Sequence, residues 1–289
     1  MKKHADWRTL SLIFACYAAW FTLLFFAPIW VAIPLLAAVI ALQSSLQHEV
    51  LHGHPFRNQW ANEALVFPSL NIVIPYARFR DTHLAHHQDA ILTDPYDDPE
   101  SNYLDPETWA RLPKVVQAIL GFNNTLSGRI LFGPLIGTLS FLWLEMKNGT
   151  RTIALQWVGH VLVATAFMTV VYLSQTPIWA YAIAAYLGLS LLKIRTFLEH
   201  QASERWTGRT AIVECSGIFG FLFLNNNLHV VHHKFPKVAW HKLPALYRAN
   251  REQFLQRNGG YFYPSYGAIF RAYAFRRKDP VAHPLFPKR

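Results

Sequence analysis

Three clusters of histidine stand out in the chain. They read HEVLH (His48, His52), HLAHH (His83, His86, His87) and HVVHH (His229, His232, His233), and His200 ends an apolar segment ahead of the third. Spacings of three and four residues place imidazoles on one face of a helix. Grouped imidazoles with no cysteine beside them form a donor set for iron, zinc, copper or nickel. Nine imidazoles exceed the needs of one ion, which takes about four to six ligands, and suit two ions. A structural zinc site saturates at about four ligands and leaves the remainder without a role. Nitrogen-rich coordination without thiolates fits iron, and open positions on such ions admit dioxygen.

The remaining histidines read differently. His54 extends the first cluster to HEVLHGH, but Gly53 interrupts the helix between them. His160 lies inside an apolar run, where an ionisable group is functional or hydrogen-bonded; it is remote from the clusters. His4, His241 and His283 read as surface residues. Metal-bound imidazoles pass their second N–H to a carboxylate or carbonyl. Glu49, Asp81, Glu199 and Asn226 stand beside the clusters and suit that task. The competing reading is plain capping: Asp81 as N-cap of the helix bearing the second cluster, and the asparagines at 225–227 as the end of the preceding apolar segment.

Elements that position these residues must lie against a membrane. The chain is 52% hydrophobic and 15% charged, against about 25% charged in soluble domains. No Asp, Glu, Lys, Arg or His occurs from Leu10 to Gln47, and from Thr152 to Leu192 only His160 does. A membrane-spanning helix needs about 20 apolar residues. Each run is therefore long enough for two spans joined by a tight turn, broken at Pro28 and Pro34 in the first and near Ser174 to Pro177 in the second. The reading is an all-α membrane protein: four transmembrane helices in two hairpins, about 9–47 and 152–192, with a cytoplasmic helical cap carrying the histidine clusters. A soluble helical protein is the alternative, but uncharged runs this long are hard to bury in so short a chain. The first run is also too long for a cleaved signal peptide.

Charge sets the orientation. The two turns carry no Lys or Arg, so the positive-inside rule places both termini, residues 48–151 and residues 193–289 in the cytoplasm. In a bacterium the membrane would be the inner one. All nine cluster histidines fall on that side. The net charge of +10 is spread over this face and fits attraction to an anionic leaflet; no basic-aromatic module for nucleic acid is visible. Cys16 and Cys215 have no spacing for a disulfide framework or a metal knuckle.

One integrated domain covers 1–289, without a linker. Residues 64–79, interrupted by Pro68 and Pro75, read as an interfacial or re-entrant helix. The acidic, proline-rich stretch 93–113 reads as a surface loop. Residues 115–146, broken by Gly121, Asn123, Asn124, Gly133 and Pro134, read as membrane-surface helices.

The set H-x3-H, H-x2-H-H and H-x2-H-H, with HHKFP continuing the third cluster, resembles the membrane-bound fatty acid desaturase and hydroxylase superfamily. An additional histidine ahead of the third cluster, as at His200, is also familiar there. The resemblance implies a non-haem di-iron centre held by His48, His52, His83, His86, His87, His200, His229, His232 and His233. It implies O2 as co-substrate, a lipid or fatty acyl chain drawn from the membrane, and an external electron donor, either ferredoxin-like or a b-type cytochrome system. Some relatives carry Asn four residues before the additional histidine; Thr196 stands here, so that role is not carried over. Neither an iron–sulfur cysteine array nor a dinucleotide fingerprint is present, which fits a separate donor. Desaturation leads this reading. A hydroxylase or ketolase acting on fatty acyl, carotenoid or alkane substrates is the alternative, and an unrelated one is a metal transporter. Transporters place coordinating groups at the bilayer midplane, where only His160 is positioned.

Overall fold

Asp6 opens the first long helix, its carboxylate accepting from the backbone N–H and the hydroxyl of Thr9. A carboxylate in this position satisfies an N–H that the helix itself cannot pair. In the computed structural model, which describes residues 5–286, α1 runs Trp7–Phe26 and α2 Ile29–Leu51. Pro28 makes the turn between them. Pro34 lies inside α2 and does not end it; apolar helices in protein or lipid surroundings tolerate the lost bond. His52 caps α2, and Gly53 at φ 98° turns the chain away, a conformation that favours glycine.

Short helices α3 (Gln59–Val66), α4 (Tyr76–His86), α5 (Pro106–Arg111) and α6 (Lys114–Asn123) follow. Three long helices come next: α7 (Leu126–Lys147), α8 (Arg151–Tyr172) and α9 (Ile178–Thr196). The remaining helices are α10 (Ile218–Leu222), α11 (His229–Lys234), α12 (Leu243–Ala249), α13 (Arg251–Arg257) and α14 (Tyr266–Tyr273). Strands β1 (Ile212–Val213) and β2 (Phe262–Tyr263) pair in parallel.

Two expectations change here. Residues 64–79 do not form one helix. The backbone between α3 and α4 is irregular, with Ile72 at φ 59°. Pro68 and Pro75 cannot donate to a helix, and Asn71 Oδ1 accepts from the N–H groups of Val73 and Ile74 instead. Side chains from the long helices satisfy the freed carbonyls. Gln43 donates to Pro68 O, Gln47 to Val66 O and the Ser69 hydroxyl, Tyr181 to Leu70 O, and His160 to Ile72 O. Buried irregular backbone requires such partners. His160 is thus a hydrogen-bonding residue.

The second change lies at 115–146. Residues 126–147 form a single helix with Gly133 and Pro134 inside it. Among the described residues, five helices rather than four are long and apolar enough to cross a membrane: α1, α2, α7, α8 and α9.

The chain divides into two compact units. One holds residues up to Arg80, 134–192 and 222–224. Its core packs Trp20, Leu24, Leu36, Ile40 and Tyr181, and Gly188 lets α9 approach α2 at Ala37 and Ile40. The other holds 81–133, 193–221 and 225 onward. Its core joins Ile212 of β1 to Val230 and Val231 of α11, Tyr247 of α12 and Phe254 of α13. This second unit contains seven of the nine cluster histidines.

Candidate metal centre

In the second unit, α4 ends in the second histidine cluster and α11 is built from the third. His200 comes from the extended chain beyond α9, where it bridges Thr210. His86, His200, His229 and His233 converge, with one nitrogen from each within 4.8 Å of the others. Nε2 of His200 lies 2.9 Å from that of His86 and 3.0 Å from that of His229, and His229 lies 3.1 Å from His233. A second group forms beside the first. His87 Nε2 is 2.9 Å from His83 Nε2 and 3.1 Å from His232 Nε2. The rings of His87 and His233 stack 4.3 Å apart, so the two groups adjoin.

These separations test the fit of metal ions. Bonds of about 2.1 Å meeting at right angles put neighbouring nitrogens about 3.0 Å apart, whereas tetrahedral geometry puts them about 3.4 Å apart. Both spans lie close to the 2.9–3.1 Å found between the neighbouring nitrogens, so each group is tight enough for one first-row metal ion.

Partners behind the rings fix their orientation. His86 Nδ1 lies 2.7 Å from Asp98 Oδ1, His83 Nδ1 2.9 Å from Glu100 Oε1, and His229 Nδ1 3.2 Å from Asn226 Oδ1. In each case Nδ1–H donates and Nε2 is left to face the centre. Asn226 in turn donates to Glu199, which pairs with Arg195 at 2.7 Å. Burial, then the neighbouring His86 and His233, push His200 well below the ordinary imidazole range. Burial, His233 and His200 do the same for His229. Both are therefore held neutral, the form that coordinates metal. His86 runs the other way: burial disfavours its charge, but Glu100 and Asp98 outweigh this and raise it to about 9. Partial burial opposes the charge on Glu100, which is one-third exposed, yet His83 and His86 hold it well below the usual carboxylate range.

A sequence model of the fatty acid desaturase family matches residues 24–265. The chain belongs to the fatty acid desaturase family. Comparison with curated proteins gives no match.

In this desaturase-family chain the first cluster lies in the other unit. His48 and His52 end α2, both buried, with ring centroids 5.0 Å apart. Of the residues expected to brace imidazoles, Glu199 and Asn226 stand behind His229 as described. Glu49 lies 3.7 Å from His54 Nε2, and Asp6 lies 3.8 Å from His54 Nδ1. Asp81 is not an N-cap: α4 begins five residues earlier, at Tyr76, because Pro75 breaks the chain there. Asp98 and Glu100 are the braces that sequence reasoning missed. They sit in the acidic stretch read as a surface loop, yet Asp98 is buried. His283, read as a surface residue, is buried as well, and His4 lies outside the described residues.

Proposed function

We propose that this chain desaturates a lipid acyl chain using a di-iron centre. The observation that carries the reading is the convergence of seven imidazoles with neighbouring nitrogens 2.9–3.1 Å apart. His86, His200, His229 and His233 would hold one ion. His83, His87 and His232 would hold the other.

The chemistry supplied by two bound irons there is O2-dependent removal of hydrogen from an unactivated C–H bond. Desaturation balances as one CH2–CH2 pair, O2, two protons and two electrons giving one CH=CH and two waters; an external donor supplies the electrons. The protein's share is positional. Asp98, Glu100 and Asn226 hold the Nδ1 protons of His86, His83 and His229, which keeps each Nε2 aimed inward. Desolvation of His200 and His229 keeps them neutral.

The protein would be multi-pass, with both termini and every histidine cluster cytoplasmic. A parity argument supports this. The second and third clusters touch, through His86 with His200 and His87 with His232. They must share one side of the membrane, so an even number of crossings separates them. Hence α7, α8 and α9 do not all cross. The α7–α8 turn is flanked by Lys147 and Arg151, while the α8–α9 turn carries no basic residue. The positive-inside rule then makes α8 and α9 the crossing pair and lays α7 along the cytoplasmic face.

Lipid mass spectrometry of cells with and without the chain tests the reaction. Desaturation predicts products lighter by two hydrogens; products heavier by one oxygen would replace it with hydroxylation. Absence of any lipid change, with no iron in the purified protein, would discard both.

A further inference from the structure

The C-terminal segment 278–283 returns to the four-histidine site from beyond the region that matches the family. It reaches that site at two points. At the first, Lys278 Nζ donates to the backbone carbonyl of His200 at 2.7 Å and to Asp279 Oδ2 at 2.6 Å. The Tyr103 hydroxyl donates to the same Asp279 oxygen at 2.9 Å and accepts from the Ala202 N–H at 2.9 Å. The chain at and just after His200 is thus tied to one partly buried ion pair. Lys278 Nζ has little exposure, with 8% of its side chain accessible. A buried ammonium stays charged only when its protons are placed on acceptors, so its direction is strongly determined.

At the second point, His283 accepts from the Leu285 N–H at Nδ1. Nε2 therefore carries the proton and donates to the Thr93 hydroxyl at 3.2 Å. Thr93 sits at φ 69°, an unfavourable region for a β-branched residue that persists only where neighbours enforce it. In that conformation its N–H donates to Asp98 Oδ2 at 2.8 Å. The other oxygen of Asp98 holds His86 Nδ1. Backbone pairing fixes the segment between the two points: Leu104 N–H donates to Val281 O, and His283 N–H to Leu104 O.

We propose that this C-terminal strap is a positioning device for the four-histidine site, holding His200 by its carbonyl and His86 through Thr93 and Asp98. His86 and His200 are the two rings whose Nε2 atoms stand 2.9 Å apart, so the strap braces both sides of one coordination edge. The proposal rests on the metal-binding reading of that site, and neither Lys278 nor His283 is a ligand.

The test uses the full-length protein in detergent, loaded with iron. Lys278→Met and His283→Phe remove the donors while keeping bulk. Thr93→Val removes only the hydroxyl, and serves should the larger changes fail to fold. Iron per chain, its rate of loss to a chelator, the Mössbauer spectrum and the melting temperature are measured together. Loss of such outer supports costs roughly 10–100-fold in metal affinity. The expected result is that one of two iron subsites changes its spectrum and loses iron at least about tenfold faster, while the other subsite keeps its own. Lys278→Arg and His283→Gln, which restore a donor, recover the native spectrum. Native spectra and release rates in all three variants would overturn the proposal. So would equal loss from both subsites in step with the melting temperature, since that is general destabilisation. If the unaltered protein takes up no iron, the metal reading falls and the strap with it; two irons in the unaltered protein, with native spectra and release rates in every variant, remove the strap alone.

Discussion

At the scale of single residues, the imidazoles and their braces have separable roles. His86→Ala and His232→Ala remove a nitrogen from each of the two groups. Both are expected to abolish turnover and lower iron per chain while leaving membrane insertion intact, as read by metal analysis and membrane fractionation. Asp98→Asn is subtler. It leaves the ligand in place but weakens the acceptor behind His86, 2.7 Å away. Iron affinity should fall roughly 10–100-fold. Glu100→Gln should cost less, because Glu100 is one-third exposed and water can replace it. A chelator competition titration ranks the two, and an equal or reversed ranking would count against burial as the cause. The eight histidines of the three clusters are legible from spacing because helical neighbours are set locally. Asp98 and Glu100 are not, because DPYDDPE has the composition of a solvated loop. The N–H of Thr93, which also binds Asp98, helps turn that loop inward.

At the scale of elements, the helix bearing the second cluster is anchored near its start. Arg78 of α4 makes a bidentate pair with Glu145 of α7, at 2.7 and 2.9 Å, and reaches Gln156 of α8; Trp157 donates to the same carboxylate. Both partners are largely buried, at 12% and 8% exposure. Arg78→Met strands the carboxylate and should destabilise by about 3–5 kcal/mol. Arg78→Met with Glu145→Leu should recover most of that, measured by thermal unfolding in detergent. Gly188→Ala tests the α2–α9 approach, since a Cβ there would lie 2.9 Å from Ala37 O and Ile40 Cγ2. About 1–3 kcal/mol of destabilisation is expected from the forced shift. Reading the sequence placed α1, α2, α8 and α9 because long uncharged runs are a local signal. It broke α7 at Gly133 and Pro134, residues that end helices in water but not where packing and lipid supply the alternative. It also drew residues 64–79 as a helix, while Gln43, Gln47 and His160 hold part of that stretch open.

At the scale of the whole molecule, the four crossings proposed above can be tested directly. Five crossings would put the termini on opposite faces of the membrane and part the second cluster from the third. With four, reporters fused at either terminus and inserted at Asn148 should all report cytoplasm. A reporter at Asn148 on the far side would show that α7 crosses. The family and the long apolar helices were legible in the amino-acid order alone, because imidazole spacing and uncharged runs depend on neighbours along the chain. Tertiary structure decided the rest. His86 meets His200 across 114 positions, and the strap at His283 reaches Thr93 across 190. Which carboxylates face the rings, and what holds them there, depends on burial and long-range pairing, which no local pattern of residues encodes.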